Sequence, residues 1–219
     1  MGESGNRELV VKRIGRVGYH EALELQKSTE ADVIAKHSSD TLFLLEHPHT
    51  FTVGRRSSEQ GVLATSEVLE KIGAEVFETN RGGKVTYHGI GQIVGYPIID
   101  LSRYRKDVHF YIRQLEEVLI RALADFGIEA FRLEGLTGVH TADGKIAAIG
   151  VHIKRWVTTH GFALNVNTDL SYFNWIIACE GEPVTSMEKI LGRNLDLSVV
   201  EDALEKHFIS VFEYYQEPQ

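Results

Sequence analysis

The chain has 219 residues and one cysteine, and its 23 basic and 31 acidic side chains give a formal net charge of −8. One cysteine excludes an intrachain disulfide framework and a structural zinc site built from several cysteines. The acidic balance disfavours general nucleic-acid binding, which needs a basic surface. Because 43% of the residues are apolar or aromatic, the chain can bury a real core. Its length suits one domain over residues 1–219, or one with a small appendage.

Membrane insertion and export are not expected from this sequence. The N-terminal segment, residues 1–8, has no apolar core of the kind that a secretory signal requires. The longest apolar stretches, such as Ile146–Val151, are far shorter than the roughly 20 residues that span a bilayer. The sequence therefore predicts a soluble, reduced protein of the cytoplasm.

The first half of the chain predicts one helix among strands. Leu9–Val17 alternates loosely between apolar and polar residues, which favours a strand. Glu21–Lys36 has a few apolar positions in a polar background and is predicted to be a helix. Leu42–Leu45 is continuously apolar, which is typical of a strand covered on both faces, and Ile93–Leu101 is predicted to be a second core strand.

The second half contains the clearest helix, predicted over Asp107–Phe126. Its apolar residues recur at spacings of three and four, Asp107 can cap its start, and Gly127 can end it. A second amphipathic helix is predicted at the C-terminus, with Val200, Leu204, Phe208, Val211 and Phe212 on one face. Between the helices, glycine-containing turns separate four predicted strands: Ile128–Leu133, Val139–Ala142, Lys145–Val157 and His160–Val166. Strict βαβ alternation is absent, so we predict an α/β or α+β fold with a mixed sheet flanked by helices.

The densest unusual segment is Arg81–Tyr96, which holds five glycines beside Arg, Lys, Tyr, His and Gln. Glycine permits close approach of the backbone to a ligand, and the polar side chains supply hydrogen-bond donors. This composition favours a substrate-cradling loop, with an ordinary glycine-rich hairpin as the alternative. The sequence lacks the dinucleotide-binding spacing, the P-loop and the G-x-S-x-G elbow.

Two residues could carry nucleophilic chemistry. Cys179 lies where the apolar stretch Trp175–Ala178 gives way to a polar turn, so it is either a small buried hydrophobe or an accessible nucleophile. Lys145 follows the turn dipeptide Asp143-Gly144 and is either solvated or a partner of the cysteine, since an ammonium favours a nearby thiolate. The pair His47 and His49 matches no zinc motif, so we expect no metal.

Several motifs together resemble one family. The pattern Arg81-Gly-Gly-x-x-Thr-Tyr-His-x-x-Gly-Gln-x-x-x-Tyr96 is similar to the signature of the lipoyl(octanoyl) transferases. The segments Glu46–Arg55, Gly144–Gly150 and His160–Val166 and the downstream cysteine also match, in the family's order, over roughly residues 8–210. The resemblance implies the fold of biotin and lipoate protein ligases. It also implies transfer of an octanoyl or lipoyl group without ATP or another cofactor, as the first step of protein lipoylation.

The resemblance also implies roles for individual residues. Cys179 matches the nucleophile that forms the acyl thioester, and Lys145 matches the lysine that favours its thiolate and then serves as acid and base. Three segments match the walls of the acyl-binding tunnel: Arg81, Gly82, Gly83, Lys84, Val85, Thr86, Tyr87 and His88; Ala148, Ile149 and Gly150; and Gly161, Phe162 and Ala163. Of these, the apolar side chains of Val85, Ile149 and Phe162 are expected to line the slot for the chain.

One departure from the family pattern concerns the neighbours of the cysteine. Many members have proline before the cysteine and glycine after it, whereas this chain has Ala178 and Glu180. We therefore expect a differently shaped loop around Cys179. The added negative charge of Glu180 would oppose the effect of Lys145 on the thiol.

The expected partners are octanoyl-acyl carrier protein as donor and the lipoyl domains of 2-oxoacid dehydrogenases and the glycine cleavage H protein as acceptors, with the chain itself a monomer. Because such partners are acidic, we predict a local basic patch at the tunnel mouth, drawn from Arg55, Arg56, Arg103, Arg105, Lys106, Lys154 and Arg155. The alternatives are an ATP-dependent lipoate or biotin ligase, an amidotransferase that moves octanoyl groups between carrier domains, and a non-catalytic module that docks carrier domains.

Overall fold

The computed structural model describes residues 8–57, 61–177 and 183–213 of the chain. Within these ranges the strands are β1 (Leu9–Arg16), β2 (Asp40–Glu46), β3 (Thr50–Val53), β4 (Glu75–Glu78), β5 (Val85–His88), β6 (Gln92–Ile98), β7 (Val139–Thr141), β8 (Gly144–Lys154) and β9 (Val157–Asn165). The α-helices of the same ranges are α1 (Tyr19–Ile34), α2 (Ser66–Ile72), α3 (Val108–Asp125), α4 (Met187–Leu191) and α5 (Leu197–Glu213). Leu101–Arg103 and Leu170–Trp175 form short 3-10 helices.

The strands form two sheets. The large sheet has the order β1-β2-β6-β9-β8-β7, in which β1 and β2 are parallel and the other neighbours antiparallel. The small sheet has the order β4-β3-β5, with β3 parallel to β4 and antiparallel to β5. Helices α3 and α5 cover one face of the large sheet, and α1 packs against the other face. This is the predicted mixed sheet flanked by helices.

Helix α3 confirms the strongest helix prediction. Asp107 is its N-cap and accepts a hydrogen bond from the backbone N–H of Phe110 at 3.0 Å, while Gly127 adopts a φ of 75° just beyond its end. Its apolar stripe, including Leu115 and Leu119, is fully buried in the main core with Leu204 and Phe208 of α5. The C-terminal helix is likewise confirmed.

One predicted strand is wrong. Residues 128–133 form no strand; their backbone pairs with the large sheet through an isolated bridge, a pair of hydrogen bonds between Phe131 and His140. Arg132 holds this segment to α3 instead, because its guanidinium donates to the carbonyl oxygen of Arg113 at 3.1 Å. The small sheet was not predicted, since its strands are only four residues long and too short to display a period.

The glycine-rich segment is not an ordinary hairpin. It contributes β5 to the small sheet and β6 to the large sheet, and the turn Gly89–Gly91 connects the two. The segment therefore joins the two sheets rather than extending one of them. None of the helices in the described ranges has the length and apolar character that crossing a membrane requires.

Gly95 on β6 allows the central strands to pack. It lies opposite Phe162 of β9 in the sheet register, and a Cβ at this position would overlap the Phe162 ring. The ring is 3% exposed and belongs to the main core with α3 and α5. The absence of a side chain at Gly95 is what lets the ring lie over the neighbouring strand.

We therefore expect Gly95→Ala to lower the free energy of unfolding by about 1–3 kcal/mol, because the ring or the strand must shift. Urea unfolding followed by tryptophan fluorescence measures this change. The control is Gly18→Ser, where a Cβ would meet nothing within 4 Å and serine is a preferred residue at the N-cap position that Gly18 occupies in α1; the expected change is within about 0.5 kcal/mol. Equal stability of the two variants would contradict this account of the β6–β9 packing.

Candidate active site

A cavity of about 240 Å³ is lined by residues of both sheets and of the loop that precedes β7. The structure brings together at its walls the following residues that the sequence singled out: Arg81, Gly83, Lys84, Val85, Thr86, His88, Lys145, Ala148, Ile149, Gly150, Gly161, Phe162 and Ala163. Segments that are far apart in the sequence thus meet around one space. That space is the candidate active site.

Two of the singled-out residues do not line the cavity, and a third lies outside the described residues. Gly82 is next to the cavity, where its backbone N–H donates to the carbonyl oxygen of Val151 at 3.0 Å. Tyr87 is buried in the small sheet, stacked on Tyr172 at 4.9 Å between ring centroids. Cys179 lies outside the described residues, as do Ala178 and Glu180.

The room in the cavity comes from small side chains on β8 and β9. Ala148 and Ala163 lie opposite each other in the register of these strands. Because side chains alternate between the two faces of a strand, their neighbours Ile149 and Phe162 point to the other face, where both pack against the main core. Ile149 and Phe162 therefore border the cavity chiefly with their backbone atoms. The small side chains of Ala148 and Ala163 leave the space next to these strands open.

Two glycines let the loop that begins at Arg81 reach β8. A Cβ on Gly150 would lie 2.8 Å from the carbonyl oxygen of Gly82, and a Cβ on Gly54 would lie 2.5 Å from that of Gly83. The Arg81 guanidinium donates to the carbonyl and hydroxyl oxygens of Thr52 at 2.7 and 2.8 Å. The arginine thus ties the loop to β3 while the glycines allow it to lie against the large sheet.

A chain of amides fixes one polar wall of the cavity. Gln92 donates from its amide nitrogen to the side-chain oxygen of Asn165 at 2.9 Å, and its own oxygen lies 2.8 Å from Nδ1 of His88. That oxygen can only accept, so His88 carries its proton on Nδ1. Asn165 in turn donates to the carbonyl oxygen of Thr185 at 3.0 Å, and the N–H of Thr185 donates to the carbonyl of Lys145 at 3.0 Å.

Three buried histidines in this region are held in the neutral form. Burial, the largest cause, lowers the pKa of His88 well below its usual value, and the nearby charge of Arg81 acts in the same direction. Burial also lowers the pKa of His47 to about 4 and that of His160 to about 3. The ring of His47 lies 2.8 Å from both the Val17 carbonyl oxygen and the Tyr96 hydroxyl, so it donates to the first and accepts from the second.

Lys145 lies at the start of β8, far from the turn that connects β8 to β9. Its Nζ donates to the carbonyl oxygen of Thr137 at 3.0 Å, and its backbone N–H donates to the carbonyl oxygen of Pro183 at 2.8 Å. Ile176 and Val184 both line the cavity. One residue on each side of the segment that contains Cys179 therefore borders the same space as Lys145.

The seven basic residues from which a patch was predicted do not all line the cavity. Of the seven, all within the described ranges, Arg56 lines the cavity. Arg103, Arg105 and Lys154 instead pair with acidic groups, at 3.4 Å from Asp100, 3.5 Å from Asp107 and 3.8 Å from Glu30, respectively. Arg103 and Lys154 are close to the β8–β9 turn, where the N–H of Leu101 donates to the Trp156 carbonyl. Arg55 and Lys154 both lie near enough to His152 of β8 for their charges to lower its pKa, after the larger effect of burial. A basic patch at the tunnel mouth therefore stays a prediction, with Arg56 as its member on the cavity wall.

Some lining residues were missed as candidates from the sequence. Gln92, Tyr96, His160 and Asn165 lie inside the motifs that carried the resemblance, so a signal for them was present. Residues 135–137 gave no signal, because they line the cavity only through the path of a loop held to α3.

Comparisons with known proteins bear on the family and the fold of this chain. The family model described as the lipoyl protein ligase A/B catalytic domain matches residues 18–209. An octanoyltransferase from Solibacter usitatus is 48% identical over 213 residues, covering 97% of this chain and 96% of that protein. A bi-partite lipoate protein ligase from Thermoplasma acidophilum has a TM-score of 0.73 at 15% identity, covering 94% of this chain and 85% of that one. Biotin protein ligase from Aquifex aeolicus has a TM-score of 0.56 at 12% identity, with 97% and 72% covered. The two structures confirm the predicted ligase-like fold.

The buried neutral histidines predict a loss of stability in acid. The pKa values of His47 and His160 are about 4 and about 3 in the folded chain, against 6.5 for an unperturbed histidine. The unfolded state therefore binds more protons below pH 6.5, so the free energy of unfolding falls as the pH drops from 6.5 towards 4. At roughly 1.4 kcal/mol per pKa unit, His47 accounts for up to about 3 kcal/mol.

Urea unfolding at a series of pH values between neutral and acid measures this dependence. We expect His47→Gln to reduce the slope of stability against pH, and His20→Gln, at an exposed position of α1, to leave it unchanged. Calorimetric proton uptake by the unchanged chain gives a second measure. Unfolding without proton uptake in this pH range would contradict the neutral state of the buried histidines.

Proposed function

This chain belongs to the octanoyltransferase family, among proteins with the lipoyl protein ligase A/B catalytic domain, and we propose that it transfers an octanoyl or lipoyl group from acyl carrier protein to a specific lysine of lipoyl domains. The transfer proceeds through a thioester on Cys179 and needs no ATP. The acceptors are lipoyl domains of 2-oxoacid dehydrogenases and the glycine cleavage H protein. The observation that carries the proposal is the cavity where Lys145, the glycine-rich loop, and Ile176 and Val184 on either side of the Cys179 segment meet.

The first step is thioester exchange. Lys145 takes the proton of the Cys179 thiol, and the thiolate attacks the carbonyl carbon of the octanoyl thioester. A bond forms between the cysteine sulfur and that carbon, the carrier-protein thiolate leaves, and Lys145 returns the proton to it. One thioester replaces another, so the step is nearly isoenergetic and requires no nucleotide.

The second step forms a stable amide. The neutral amine of the lipoyl-domain lysine attacks the acyl-cysteine, its proton passes to Lys145, and the Cys179 thiolate leaves. Backbone N–H groups of the glycine-rich loop are candidate donors for the oxyanion that develops in both steps. The conversion of a thioester to an amide makes the whole transfer favourable.

The side chains around the cavity support an acyl ligand. Ala148 and Ala163 leave room above the strands, and Val85 and Ile176 supply apolar surface beside it. The hydrogen bond from Lys145 Nζ to the Thr137 carbonyl oxygen keeps the amine at one end of the space. An alkyl chain can thus lie along β8 with its carbonyl near Lys145.

The main test is the mass of the intact protein after incubation with octanoyl-acyl carrier protein in the absence of ATP. We expect one added octanoyl group, lost in Cys179→Ser because the single thiol is gone. Lys145→Ala should slow the acylation by roughly 10²-fold or more. The control Lys27→Ala removes an exposed lysine of α1 and should leave the rate unchanged.

Three outcomes would overturn the proposal. A strict ATP requirement would favour a ligase. Binding of carrier domains without any transfer, unaffected by Cys179→Ser and Lys145→Ala, would favour a docking module. Acylation from an octanoylated lipoyl domain, but not from the acyl carrier protein, would favour an amidotransferase between carrier domains.

The cavity also predicts sensitivity to side-chain size at Ala148. Ala148→Val adds two methyl groups on the cavity side of β8, so we expect slower octanoyl transfer, with butanoyl transfer less affected because the shorter chain needs less room. The matched control is Ile149→Val, which changes the next residue but on the core face. Rates with octanoyl and butanoyl donors provide the measurement. Equal losses for the two chain lengths would contradict the placement of the acyl chain.

A further inference from the structure

A fully buried carboxylate lies on the apolar face of α3. Glu116 is 0% exposed, although it belongs to a helix whose buried positions are otherwise mainly hydrophobic. One carboxylate oxygen accepts the N–H of Gly138 at 3.1 Å. The other accepts from Arg113 at 2.7 Å and from Arg132 at 3.2 Å. A buried charge is costly unless it is paired in this way, and an apolar residue would fill the position at lower cost.

The partner of Glu116 is the same peptide group that holds Lys145. The N–H of Gly138 and the carbonyl of Thr137 belong to one planar unit, so fixing one orients the other. Glu116 binds the N–H of this unit, and the carbonyl oxygen accepts Lys145 Nζ at 3.0 Å. The Glu116 carboxylate and the Lys145 amine therefore bind opposite sides of a single peptide group.

Gly138 is shaped for this contact. Its φ of 124° lies in the region that favours glycine, and a Cβ here would lie 2.8 Å from Cε of Lys145. The lysine side chain thus lies directly against the peptide that Glu116 binds. A hydrogen bond at the N–H also polarises the carbonyl, which strengthens the bond to the amine.

We propose that Glu116 is a positioning residue for Lys145: it fixes the Thr137–Gly138 peptide so that the carbonyl holds Nζ at the cavity wall. The inference rests on the proposed function, in which Lys145 is the acid and base of the reaction. The charged and titratable groups that face this arrangement are Arg113 of α3, Arg132 of the following loop and His140 of β7, which lies opposite Lys145 in the strand register.

A comparison with the neighbouring Glu117 distinguishes the positioning of Lys145 from simple attachment of the loop to α3. Glu117 accepts from the same Arg132 at 2.6 Å and from Arg121 at 2.8 Å, so it also ties the loop to α3. Within the described part of the chain, its hydrogen bonds do not include the Thr137–Gly138 peptide. A change at Glu117 therefore perturbs the tether without removing the contact behind Lys145.

The test compares Glu116→Leu with Glu117→Leu in single-turnover octanoyl transfer and in steady-state kinetics. We expect Glu116→Leu to lower kcat about tenfold, the loss that corresponds to one buried hydrogen bond, with KM within about twofold. Glu117→Leu should leave kcat within about twofold. Equal kcat for the two variants, or a Glu116→Leu effect confined to KM, would overturn the proposal.

A second comparison uses the Lys145→Ala background. If Glu116 acts through Lys145, adding Glu116→Leu should leave the residual rate unchanged, because the amine that it positions is already absent. A further tenfold loss in that background would mean that Glu116 acts elsewhere. Wild-type transfer by Lys145→Ala alone would instead overturn the proposed function. Slow transfer by Lys145→Ala with wild-type transfer by Glu116→Leu would overturn only the role of Glu116.

Thermal unfolding monitors whether the variants fold. Should Glu116→Leu not fold, Glu116→Met takes its place, because its unbranched side chain is close to glutamate in shape and offers no oxygen to the Gly138 N–H. We expect Glu116→Met to lower kcat at least threefold with KM unchanged, and Glu117→Met to match the unchanged chain. A wild-type kcat in folded Glu116→Met would overturn the proposal.

Discussion

The antiparallel pairing of β8 with β9 makes one pair of strands serve two purposes. On one face, Ile149 and Phe162 complete the main core under α3 and α5. On the other face, Ala148 and Ala163 leave a cavity beside the small sheet. Because side chains alternate strictly along a strand, a slip of one residue would put the large side chains into the cavity and the alanines into the core. The cavity and the core thus depend on the same register.

The glycine-rich segment fits the second sheet to the first. Its strands belong to different sheets, so its position is set by both. Because Gly150 and Gly54 have no side chains, the loop can lie between the two sheets. Arg81 ties the loop to Thr52 with three hydrogen bonds. A loop held on two sides in this way presents its backbone N–H groups in a fixed geometry, as electrostatic stabilisation of an oxyanion requires.

Helix α3 connects the main core to the peptide that holds Lys145. Its apolar stripe builds the core, while Glu116 reaches from the same buried face to the peptide that holds Lys145. The hydrogen bond of Lys145 to the Thr137 carbonyl therefore depends on how α3 packs. A residue of the core helix thus contacts the peptide that holds Lys145, although it does not itself line the cavity.

The sequence by itself determined the long elements, the family resemblance and most of the segments that line the cavity, because helical periodicity in α3 and the glycine-rich pattern after Arg81 are local signals. It led to errors where short contacts compete, as in residues 128–133, which Arg132 draws to α3 rather than into the sheet. Only the tertiary structure decided which faces of β8 and β9 meet the cavity and the position of Glu116 behind Lys145. These features join residues that are far apart in sequence, and their geometry follows from strand register and helix packing, which no local pattern encodes.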